Sequence, residues 1–89
     1  MTFSIDDEKA IGVDKFWNLH MPFKAAEECS ELIQAISKYE LWPDDEAEEK
    51  VKKEMADVLI SVATLCKRYR IDPLTVNELI NEKLDRRYE

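Results

Sequence analysis

Apolar residues recur at helical spacing through most of this chain. Pro22 suits the first turn of a helix, and Ala25, Cys29, Leu32, Ile36 and Tyr39 follow it as one stripe at intervals of three or four. Pro43 breaks the run. Asp44 or Asp45 can cap a second helix, with Glu48 three residues after Asp45 as in a capping box. Val51, Met55, Val58, Val62, Leu65 and Tyr69 carry its stripe. Asp72-Pro73 restarts the pattern as a cap plus a proline at the first helical position, and Leu74, Leu79, Ile80 and Leu84 complete a terminal helix. Residues 1–20, with Phe16, Trp17 and His20, read as a short lead-in holding a helical turn or two. The expected fold is all-α: a long antiparallel helical hairpin plus a C-terminal helix, in one domain over residues 1–89.

Composition sharpens this picture. The 89 residues include only 1 Gly and 3 Pro, with 45% hydrophobic and 37% charged side chains, which favours helices throughout. A chain this short buries a modest fraction of its surface, so a lone copy is marginal. Ile60, Ala56 and Ala63 add a second apolar face to the middle helix, to be covered by the third helix or another subunit. The net charge of −7 opposes a nucleic-acid polymer or an anionic membrane. No apolar run is long enough to span a bilayer, and residues 1–10 lack the pattern of a signal peptide. Cys29 and Cys66 both fall on apolar stripes and read as buried, reduced thiols. A cytoplasmic setting is expected.

The candidate chemistry is acidic. At about 100° per residue, Glu28 lies roughly 80° from the first stripe's centre and Glu31 roughly 140°, on the same side. Glu54 and Asp57 repeat those offsets, roughly 80° and 140°, on the second helix. Two helices joined by a short loop pack antiparallel. Equal offsets of one hand then put both pairs on one side of the hairpin. The pairs also stand at similar distances from Pro43, hence at nearly one height. Four carboxylates converging on a partly buried patch repel one another and call for a cation. Hard oxygen ligands suit Mg²⁺ or Mn²⁺ rather than zinc. A di-iron bundle would want Glu-x-x-His, and the only histidine, His20, precedes both helices.

The combination Glu27-Glu28-x-x-Glu31, a spacer over 32–53, then Glu54-x-x-Asp57 resembles the motif of the MazG-like all-α nucleoside triphosphate pyrophosphatases. Asp-Val-Leu at 57–59 and the closing segment 83-KLDRRY-88 add to the likeness, which runs from about Trp17 to Tyr88. The resemblance implies a homodimer with a four-helix-bundle core, in some members a homotetramer. It implies hydrolysis of the α–β phosphate bond of (deoxy)nucleoside triphosphates to monophosphate and pyrophosphate. Glu28, Glu31, Glu54 and Asp57 would hold Mg²⁺, and Glu31 would hold or deprotonate the attacking water. Glu27 points roughly 180° from the stripe and is the weaker ligand. Lys83, Arg86 and Arg87 would meet the distal phosphates, Trp17 would stack on a base, and His20 would line the pocket. The alternative is a non-catalytic helical dimerisation module with an acidic cation site.

Overall fold

The computed structural model describes residues 4–17 and 20–88. Four helices follow one another: α1 (Asp7–Trp17), α2 (Met21–Leu41), α3 (Asp45–Tyr69) and α4 (Pro73–Tyr88). No strand occurs among the described residues. No described helix is long and apolar enough to cross a membrane.

Local signals fix the helix ends. Asp6 Oδ1 accepts from Lys9 N at 3.0 Å, and Asp7 and Glu8 lie in the first turn of α1, where acids complement the helix dipole. The lead-in is thus three turns of helix rather than one or two. Pro22 opens α2 as expected. Asp44, in extended backbone, caps α3, its Oδ1 accepting from Ala47 N at 2.7 Å. With Asp44 in the cap, Glu48 lies one residue too far along for a capping box. Arg70 ends α3 at φ 57°, ψ 41°, and Ile71 N donates to Cys66 O at 2.9 Å. This is a Schellman closure built on a residue other than glycine. Asp72 accepts from Leu74 N at 2.9 Å and starts α4.

The main packing is α2 on α3, with α1 laid across α3 and touching α2. Three residues, 42–44, join α2 to α3. Glu28 neighbours Glu54, and Ala35 shares a hollow with Ala47, so the two helices run antiparallel. Arg68 Nη1 meets Asp14 Oδ1 at 3.0 Å, and Lys67 Nζ meets Asp7 Oδ1 at 3.1 Å, which ties α1 to the end of α3.

The faces turned inward differ from the expected stripes. Ala10, Met21, Ala25, Ala35 and Cys66 are the buried apolar residues, and Glu54, Ser61 and Thr64 are buried beside them. Leu32, Tyr39, Val51, Val58 and Leu65 are half-buried. Cys29, Ile36, Met55, Val62 and Tyr69 face outward, with Ile33 65% exposed. Each helix has been turned so that its acidic edge enters the interface. The apolar arc on α2 and α3 is wider than one contact needs. The small residues Ala25, Ala35, Ser61 and Thr64 turn fully inward, while the bulkier Ile33, Ile36, Met55 and Val62 stay outside. Cys29 is therefore an exposed thiol and only Cys66 is buried; both are free. α4 has no buried residue at all.

Candidate metal centre

Glu28 on α2 and Glu54 and Asp57 on α3 each offer an oxygen within 4.8 Å of the others. Glu54 is 3% exposed. Two oxygens, Glu28 Oε2 and Glu54 Oε2, are buried without a hydrogen-bond partner among the described residues. A buried carboxylate oxygen with no donor is costly. Three hard oxygen donors converging around such orphans fit a small divalent cation.

Two lysines partly neutralise the cluster. Lys24 Nζ lies 3.4 Å from Glu28 Oε1, and Lys50 Nζ lies 2.7 Å from Glu54 Oε1. Each lysine precedes its glutamate by four residues, the spacing that stacks side chains on one helical face. The pattern Lys-x-x-x-Glu-x-x-acid thus occurs twice, as Lys24/Glu28/Glu31 and Lys50/Glu54/Asp57. That duplication was visible in the sequence and identifies two cations that a search for acids alone passes over.

Glu31 stands outside the tightest trio but within its field. Desolvation, then the charges of Glu28 and Glu54, push its carboxyl above the ordinary 4.5. Glu54 is held below the ordinary value, first by its bond to Lys50 and against the opposing effect of burial. Lys50 is raised by that same bond. Desolvation acts to lower Lys24, but Glu28 and Glu27 outweigh it and the net shift is upward. Glu27 is more than half exposed and pairs with Lys24 at 3.5 Å, as its outward angle implies.

A cavity of about 230 Å³ opens beside the cluster. It is lined by the charged Lys24, Glu28 and Asp57 together with Val13, Trp17, Met21, Ile60 and Ser61. Trp17 stands edge-on to Phe16, and Lys24 Nζ lies 4.9 Å from the centroid of the Trp17 ring. Trp17 is thereby beside the acids. His20 is not: it occupies the N-cap of α2, exposed, without a side-chain cap bond, and lines neither hollow described here. Lys83, Arg86 and Arg87 lie on exposed α4, where Arg86 pairs with Glu82. Within its own chain α4 is not packed on α2 or α1, so the structure does not bring these three to the cluster. A larger hollow of about 800 Å³ lies at the turn end, bordered by Ala35, Leu41, Trp42, Ala47, Lys50 and Lys53.

The chain is thus all-helical among its described residues, with paired acids on adjoining helices and a cavity beside them. Residues 19–89 match the family model of the MazG nucleotide pyrophosphohydrolase domain. The match covers most of the chain, and the chain belongs to that family. No curated protein and no solved structure gives a significant match.

Proposed function

We propose that this chain is a Mg²⁺-dependent pyrophosphohydrolase, active with Mg²⁺ or Mn²⁺, that cleaves the α–β bond of (deoxy)nucleoside triphosphates. The products are the monophosphate and pyrophosphate. The observation that carries the reading is the meeting of Glu28, Glu54 and Asp57 around two orphaned carboxylate oxygens. These three residues would hold the cation, with Glu31 completing the set. The cation would supply Lewis-acid polarisation of phosphate oxygens and a more acidic attacking water. Glu31 takes the proton. Lys24 and Lys50, released from Glu28 and Glu54, would turn to phosphate oxygens. Trp17 forms a flat wall for the base.

The outward Ile33, Ile36, Met55 and Val62 are bulky apolar side chains that a second copy would cover. They support a homodimer, paired again in a homotetramer if α4 is also covered; the proposed setting is the cytoplasm. In that assembly Lys83, Arg86 and Arg87 reach a site only from a second copy.

The test is a product assay with a panel of nucleoside triphosphates in Mg²⁺ or EDTA. Monophosphate plus pyrophosphate, lost in EDTA and in Glu54→Gln, is the expected result. Silence across the panel from folded, cation-loaded protein would refute the reaction. It would favour a non-catalytic module, in which Lys24 and Lys50 serve as the acids' permanent partners.

A further inference from the structure

Ser61 lies one turn beyond Asp57 on α3 and is 5% exposed. It borders the cavity beside the acids. Helical hydroxyls commonly donate to the carbonyl four residues back. Thr64 does this to Ile60 O at 2.8 Å, and Ser37 to Ile33 O at 3.1 Å. The Ser61 hydroxyl forms no hydrogen bond with any described residue, and it is not among the sealed orphan atoms. Ser61 thus brings a hydroxyl-bearing side chain to the cavity lining.

Val13, Trp17, Met21 and Ile60 supply the apolar part of the lining, and Lys24, Glu28 and Asp57 the charged part. At about 230 Å³ the cavity falls below the range of pockets that enclose a whole small ligand, roughly 300–1,000 Å³. It takes one ring system and leaves the remainder outside. An aromatic side chain and aliphatic neighbours suit a planar heterocycle.

We propose that Ser61 is the specificity-determining residue of this compartment, and that the ring it reads is the nucleobase. This rests on the nucleotide reading above. A serine hydroxyl both donates and accepts, so it can pair with a ring nitrogen or an exocyclic group on the base edge. The phosphates then extend toward Glu28 and Asp57, which border the same cavity. One neutral hydrogen bond is worth a discrimination of up to about tenfold between bases that offer the matching group and bases that do not.

The experiment uses Trp42→Phe protein, in which Trp17 is the one remaining tryptophan of two. Quenching of Trp17 fluorescence is titrated with each (deoxy)nucleoside 5′-monophosphate in Mg²⁺, and with 2-deoxyribose 5-phosphate as the base-free probe. One base is expected to bind most tightly. Ser61→Ala should bring the bases to within about twofold of one another, and Ser61→Leu should abolish quenching. The Mg²⁺-induced thermal shift should stay the same in both. An unchanged or absent base preference, or equal binding of the base-free probe, would overturn the assignment. So would loss of the Mg²⁺ shift in Ser61→Ala, which would mark a structural role. No turnover is needed: quenching without hydrolysis would refute the reaction and leave the compartment standing, whereas hydrolysis without quenching would do the reverse.

Discussion

Met21 and Met55 have opposite surroundings, and truncating each tests the inside-out arrangement of the helices. Met21 is 1% exposed at the junction of α1 with α2 and α3, whereas Met55 is 50% exposed on α3. Burying nearly the whole Met21 side chain puts Met21→Ala in the range of about 2–5 kcal/mol. A domain of this length has a total stability on the order of 4–13 kcal/mol. A loss near 3 kcal/mol would lower Tm by about 12–24 °C, at about 4–8 °C per kcal/mol for small domains. The cavity that Met21 lines would also widen, and substrate would bind more weakly. Met55→Ala removes a side chain that its own chain half covers, and costs at most about 1 kcal/mol in a lone chain. In an assembly that covers Met55, the cost grows and Tm becomes concentration-dependent. The assay is thermal unfolding of both variants across a hundredfold dilution series. A Met21→Ala protein melting within a few degrees of the parent would refute the packing. So would a Met55→Ala protein that stays the more damaged of the two at the lowest concentration.

Other expectations concern charge and helix ends. In EDTA, Asp57→Asn should raise Tm by relieving repulsion, and Glu28→Gln should gain less because it also loses Lys24; both should lose the Mg²⁺-induced shift. Glu31, with its carboxyl raised, favours the folded metal-free protein while protonated, and that contribution is lost as pH climbs from the ordinary 4.5 through the raised value. Glu54 acts oppositely: its contribution is present above the ordinary value and lost as pH falls through the lowered one. Melting in EDTA between about pH 4 and 7 should therefore show a decline on the alkaline side that Glu31→Gln removes; an unchanged slope would count against the shift. Asp44→Ala should cost about 1 kcal/mol by removing the cap on Ala47 N, and Arg70→Gly should gain about 1 kcal/mol by relieving left-handed backbone. Chemical denaturation reads both.

The helices and their breaks were legible because Pro22, Pro43, Asp44 and Asp72-Pro73 are local signals. The pairing of Glu28 with Glu54 and Asp57 was legible because it needs only helical angle and distance from the turn. Which edge of a wide apolar arc turns inward was not. The buried edge carries the small Ala25 and Ala35, which hydropathy ranks below the exposed Ile33 and Ile36. The length of α1 was missed because its stripe is short and Gly12 interrupts it. The place of Lys83, Arg86 and Arg87 depends on how α4 is covered, and no periodicity within one helix encodes that.

The twin Lys-x-x-x-Glu segments have a consequence for how the chain would meet the proposed cation. Each buried glutamate arrives on its helix with an ammonium group already in reach. The scaffold can therefore assemble before any ion is present, unlike small domains whose fold is created by their metal. At the proposed cation site, loading would be an exchange in which two tethered monovalent groups give way to a mobile divalent one. The freed lysines would still face the site, so the displaced charge would stay at hand for the proposed anionic substrate.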